Sequence, residues 1–173
     1  MKLRILVILV CVLIAGLKVS CSRTSREALL IKKYSCDSLE GIIHLSGVQI
    51  DAQVKNEGKR SLKFNLTEPS VIRLLETGDI EIEESTLVYQ AMLRTEGIQG
   101  RVYLEMWCHF EGKGEFFSRG LDSPLSGTND WTSMEIPFFL KAGENPDNVK
   151  LNVVSEGAGT FWVDDIRLLK RPL

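Results

Sequence analysis

The sequence is poor in the residues that most catalytic and metal-binding motifs require. It has two histidines, His44 and His109, in 173 residues. Neither stands in H-x-H or H-E-x-x-H spacing or beside a nucleophile motif, so zinc-hydrolase and triad chemistry leave no signature. No G-x-x-x-x-G-K-[ST] loop occurs, which excludes nucleotide hydrolysis of that type. Of the four cysteines, Cys11 and Cys21 belong to an N-terminal segment and only Cys36 and Cys108 to the folded part. Their spacing fits no zinc pattern. An exported domain could join them; two separate thiols, with Cys108 a small buried apolar residue, is the other reading. An excess of one charge is lacking too. The net charge is −2, from 21 Lys and Arg against 23 Asp and Glu, and both signs are mixed along the chain. There is thus no basic face for nucleic acid. Low-complexity tracts, internal repeats and helical periodicity of useful length are likewise missing.

What is present begins with a targeting signal. Lys2 and Arg4 precede an almost wholly apolar run from Ile5 to Leu17. That run is short for a membrane-spanning helix of about twenty residues and suits a signal-peptide core. Val19-Ser20-Cys21 follows and resembles the end of a bacterial lipobox, in which Cys21 would be lipidated. Lys18 departs from that pattern. Three outcomes stay open: a lipoprotein, cleavage near Ser22, or an uncleaved anchor. Each predicts export to the cell envelope, membrane-anchored through the N-terminus in the first and third cases and secreted in the second. Residues 1–21 are therefore expected to be signal or anchor. Residues 22–36 are expected to be a tether or first edge element, and residues 37–173 one folded domain. A domain of that length buries about two-thirds of its unfolded surface and needs no staples.

Beyond the tether the texture is short alternating segments with turn signals about every ten residues, the pattern of a sandwich or barrel. The expected strands are Gly47 to Val54, Ser61 to Leu66, Val71 to Leu75, Asp79 to Ile82, Thr86 to Arg94, Arg101 to Phe110, Glu115 to Arg119, Trp131 to Leu140, Asn148 to Val154 and Thr160 to Leu169. Gly97 and Gly100 are expected to turn the chain between two of them. Residues 120–130 read as a loop. The expected fold is all-β, a two-sheet antiparallel jelly-roll sandwich.

Gly58-Lys59-Arg60-Ser61-Leu62 and the closing Gly157-Ala158-Gly159-Thr160-Phe161-Trp162-Val163-Asp164-Asp165-Ile166 resemble a known group. They are similar to the galactose-binding-like jelly rolls, which include xylan- and glucan-binding carbohydrate-binding modules. Asp37-Ser38-Leu39-Glu40 matches the acidic start of those domains, and Trp131 with Ile136-Pro137-Phe138-Phe139 fits a central strand. The resemblance covers roughly residues 37 to 169 and implies the fold more strongly than the ligand. It also implies one structural Ca2+, held by oxygen ligands. Carried over, these would be Asp164 (less readily Asp165), Glu40 or Asp37, and main-chain oxygens near Lys59. The alternative is that the aspartates end the strand and pair with Arg60 or Arg167.

Strand alternation then asks what each face carries. Val102, Leu104, Met106, Cys108 and Phe110 share a core face; Tyr103, Glu105, Trp107 and His109 share the other. Thr86 to Arg94 sets Gln90 and Arg94 opposite Leu87, Tyr89, Ala91 and Leu93. Were the two strands neighbours, Gln90, Arg94, Glu105, Trp107 and His109 would form one surface, with Arg119 and Asn152 joining from adjacent strands. A sugar site wants that mixture: an aromatic plane for C–H stacking, here Trp107, and planar groups for the hydroxyls. Glu105 and Glu135 as a glycosidase pair is the one catalytic arrangement to consider. The expected function is a non-catalytic binding module for carbohydrate or another envelope component. A protein-binding surface, and a structural envelope domain with an ordinary solvated sheet face, stay open.

Overall fold

The computed structural model describes residues 28–78 and 80–173. The expectations for the signal segment, for Cys21 and for the beginning of the tether lie outside the described residues. The described residues form nine strands: β1 (Leu29–Tyr34), β2 (Val48–Asp51), β3 (Ser61–Leu66), β4 (Ser70–Thr77), β5 (Ser85–Phe110), β6 (Gly114–Arg119), β7 (Leu125–Leu140), β8 (Asn148–Ser155) and β9 (Gly159–Arg171). All pairings are antiparallel.

β5 organises the molecule. Its first half lies between β7 and β9, and β9 in turn pairs with β1 and β3. Its second half lies between β6 and β8, and β8 pairs with β4. Thr86 to Arg94 and Arg101 to Phe110 were expected as two strands with a turn between them. They are instead one strand that passes from the first sheet into the second. Gly97 and Gly100 stand at the passage with φ of 62° and 124°, values that a side chain would oppose. The register against β7 slips between Leu93 and Val102, so bulges bend the strand without ending its pairing. The bend is tied to the β8–β9 hairpin by Gln99 N–H donating to Ala158 O and Glu156 N–H to Arg101 O, both at 2.8 Å.

Alternation supplies the core. Leu87, Tyr89, Ala91 and Leu93 from one half of β5 and Val102, Leu104, Met106 and Cys108 from the other are fully buried. Val149, Leu151 and Val153 of β8 and Phe161, Val163, Ile166 and Leu168 of β9 join them in one cluster. Phe64 and Phe161 stack at 4.9 Å. Apolar residues that face each other across two sheets leave water together, which is the main favourable contribution to such a fold. Cys36 and Cys108 are separate buried thiols; burial pushes each thiol up to about 12.

Two expectations change at the elements, and a third, left open between tether and edge element, is decided. Residues 29–34 form the edge strand β1, so the first-edge-element reading of that stretch holds. Ile80 and Ile82 are not in a strand; both are buried from a loop. β7 begins at Leu125 rather than at Trp131, shortening the expected loop.

Candidate functional site

The outer face of the second sheet carries a groove of about 520 Å³, lined by His44, Val71, Arg73, Trp107, Glu115, Lys150 and Asn152. β5 presents Trp107 here because Met106 and Cys108 on either side of it point into the core. Trp107 is half-buried, with its ring centroid 5.0 Å from that of Phe117 on β6. Arg119 lies over the other strand-mate's ring, 4.5 Å from the centroid of Phe117. Lys150 of β8 and Glu115 of β6 form an ion pair.

Beside Trp107, Glu105 is 3% exposed. Its Oε2 accepts from Arg119 Nε at 2.6 Å and its Oε1 from Asn152 Nδ2 at 2.9 Å. Burial pushes this carboxyl up, but hydrogen bonds from Asn152, Trp107 and Arg119, with the charge of Arg119, outweigh it and hold the pKa below the ordinary carboxylate range. Asn152 Oδ1, also buried, has no hydrogen-bond partner among the described residues. His109 Nδ1 lies 2.5 Å from Asp147 Oδ1 at the edge of the same face.

The expected surface is therefore brought together only in part. Glu105, Trp107 and His109 share one face, and Arg119 and Asn152 join it. Gln90 and Arg94 do not. The halves of β5 belong to opposed sheets, so residues pointing away from the core in one half leave on the opposite side of the sandwich from those in the other. Arg94 Nη1 lies 2.5 Å from Asp130 Oδ1 and its guanidinium sits over Trp162; Gln90 Nε2 donates to Glu135 Oε2 at 3.3 Å. The same geometry separates Glu105 from Glu135, which is bound by Arg171. No glycosidase pair forms from these two carboxylates.

His44, Arg73, Glu115 and Lys150 were not anticipated. Alternation in Asn148 to Val154 does put Lys150 beside Asn152, and alternation in β6 puts Glu115 in phase with Arg119. Arg73 is hidden in the sequence because a register shift between Arg73 and Leu75 breaks the alternation of β4. His44 sits in a loop that hydrogen-bonds to the free edge of β4, its N–H donating to Arg73 O.

The residues expected to hold calcium lie elsewhere. Asp37, Asp164 and Asp165 line a cavity of about 250 Å³ with Glu57, Gly58 and Cys36. Asp164 Oδ2 accepts the backbone N–H of Asn56 and Glu57 at 2.8 and 2.9 Å, and Asp37 Oδ1 those of Lys59 and Arg60 at 2.7 and 2.8 Å. Asp165 pairs with Arg167 at 2.6 Å. Glu40 is not among the lining residues. Among the described residues no group of three or more His, Cys, Asp or Glu side chains is gathered as a metal cluster.

No family model and no curated relative matches the chain. Solved structures do. The CBM22-1 xylan-binding domain of Paenibacillus barcinonensis Xyn10C is 12% identical with a TM-score of 0.61, over 86% of this chain and 99% of that one. A family 16 carbohydrate-binding module is 13% identical with a TM-score of 0.56, over 75% and 91%. The CBM22-1–GH10 modules of Clostridium thermocellum Xyn10B, solved with xylohexaose, are 12% identical with a TM-score of 0.61, over 84% of this chain and 29% of that one. At these identities the likeness is one of fold: the chain has the β-sandwich of carbohydrate-binding modules.

Proposed function

We propose that this protein is a non-catalytic carbohydrate-binding module acting outside the cytoplasm, with its ligand in the groove over β4, β8, β5 and β6. The observation that carries the reading is Trp107, a half-buried tryptophan set among polar side chains on an otherwise solvated sheet face. Pyranose rings present C–H patches to such a plane, and the neighbouring Asn152, Arg73 and Lys150 meet hydroxyls at its margin. The Glu105–Arg119–Asn152 network fixes the floor beneath. Solved proteins with this fold include a xylan-binding domain and a module crystallised with xylohexaose, which supports a glycan ligand here. Binding without turnover fits a groove in which Glu105 and Glu115 are each engaged by a cation, Arg119 and Lys150, rather than set as an acid–base pair.

The test is a glycan array followed by calorimetry on the best binder, with Trp107→Ala as the control. Loss of binding in a folded variant supports the groove; unchanged affinity removes it. Export rests on Lys2, Arg4, the apolar run and Cys21. Cell fractionation with labelled palmitate, compared with Cys21→Ser, tests both location and lipidation. Calcium at Asp37 and Asp164 is a separate proposal resting on the resemblance in sequence. A fall in melting temperature on adding chelator supports it, since an ion bound to the native state stabilises by mass action; an unchanged temperature refutes it.

A further inference from the structure

We infer that the groove selects glycans bearing carboxylates, that is, uronate-containing chains, over neutral ones, an inference that rests on the carbohydrate-binding reading above. Cationic side chains outnumber carboxylates along the groove. The groove's lining includes two fixed cations, Arg73 and Lys150, with His44, against the single carboxylate of Glu115. Glu115 is already engaged by Lys150. Glu105, at the floor, is filled by Arg119 and Asn152. On the rim His109 is paired with Asp147; Glu76, the register partner of Lys150, lies outside the lining.

The carboxylates that could take a sugar hydroxyl's proton, Glu105 and Glu115, are each held by a cation, and Asn152 Oδ1 is buried. The Arg73 guanidinium makes no hydrogen bond or ion pair among the described residues, although its charge reaches Glu115. A guanidinium is a five-donor fork with no acceptor, and a carboxylate accepts without donating. The two match as a bidentate pair, with hydrogen bonds about twice as strong as neutral ones. A sugar hydroxyl must place a proton as well as accept one, and a guanidinium cannot take it.

The spacing suits a short oligosaccharide. Arg73 lies in register with Asn152, and Asn152 with Glu105, while Trp107 is two residues along β5. Two strand spacings, roughly 10 Å, separate the strands that carry the stacking plane and the free guanidinium. One pyranose on Trp107 and the uronate of the next unit toward β4 would span them.

The experiment uses the full chain in three titrations. The first takes oligomers of galacturonate, of mannuronate and of glucuronate-decorated xylan. The second takes the same oligomers methyl-esterified or carboxyl-reduced. The third takes neutral xylo-oligosaccharides. The expected result is that at least one uronate oligomer binds roughly tenfold or more tighter than its neutralised counterpart, with the preference falling as salt is raised. Arg73→Gln weakens binding of the uronate oligomer far more than that of its neutral counterpart, so that the preference falls away, whereas Trp107→Ala weakens both alike. Circular dichroism confirms that each variant is folded. Equal or tighter binding of the neutral forms overturns the uronate inference and leaves the carbohydrate reading standing. Binding of none of the sugars overturns both.

Discussion

Trp107 and Glu105 are neighbours on one strand face but have separable jobs. Trp107 is half-buried and rests on Phe117, so its loss exposes little core. Trp107→Ala is expected to cost about 2 kcal/mol or more of ligand binding, as a stacking hot spot does. Its cost in stability should stay well below the roughly 3–5 kcal/mol of a core aromatic. Calorimetry and thermal melting on the same variant separate the two quantities. Glu105 is buried and held by Arg119 and Asn152. Its folded pKa lies below the ordinary 4.5, so the unfolded state binds its proton more readily. The stability it contributes is thus complete above pH 4.5 and is lost as pH falls through the folded value. Glu105→Gln should lower the neutral-pH stability by about 1–3 kcal/mol, because a charged acceptor for Arg119 and Asn152 is lost. Melting curves between about pH 3 and 7 should show the gap to the parent protein narrowing in acid. A gap independent of pH would mean that the carboxylate charge is not what the network uses.

At the scale of elements, the decisive parts are the bend of β5 and the bulge of β9. A Cβ placed on Gly157 would lie 1.3 Å from Gln99 O, where the hairpin between β8 and β9 seats against the bend. Only glycine lets the two backbones approach so closely. Gly157→Ala is expected to destabilise by about 3 kcal/mol or more, in the range of severe single substitutions. Gly112, at the β5–β6 turn, has nothing within 4 Å of its Cβ position and should suffer only its backbone strain when changed to alanine. Denaturant titration of the pair measures the contrast. In β9, Asp165 adopts φ of 48°, a conformation that costs a non-glycine residue about 1–2 kcal/mol. The inward phase there shifts from Phe161 and Val163 to Ile166 and Leu168. The shift leaves Asp164 beside the backbone of Asn56 and Glu57, whose N–H groups it accepts. Asp164→Ala is expected to cost about 1–3 kcal/mol by orphaning those donors, measured by the same titration.

For the whole molecule, one strand shared between both sheets means that neither sheet is complete without the other. β1 pairs with β9 across nearly the full described chain, Leu29 opposite Lys170, so closure needs both ends. Unfolding is expected to be a single cooperative transition. Trp107 lies in the second sheet and Trp162 in the first. Fluorescence of a Trp107→Phe protein, dominated by the first sheet, should give the same denaturation midpoint as far-UV circular dichroism. Two midpoints would show that the sheets unfold independently.

Alternation and turn residues by themselves determined the all-β class, most strand positions and which residues of each strand face the core, because a period of two is a local property of the backbone. Trp107, Glu105 and His109 could be placed on one exposed face for the same reason, with Asn152 and Arg119 beside them. Whether Thr86 to Arg94 adjoins that face was a question of sheet membership, and local pattern carries none. A pair of glycines reads equally as a turn that ends a strand or as a bend that carries it into the opposite sheet. Only the pairing of β5 with β9 and β7 on one side of the bend, and with β8 and β6 on the other, decided it. That choice sent Gln90 and Arg94 to the far surface and brought Arg73 and Lys150 to Trp107. Partners in a sheet are selected by long-range closure of a common core, and such contacts leave no mark in either strand taken alone.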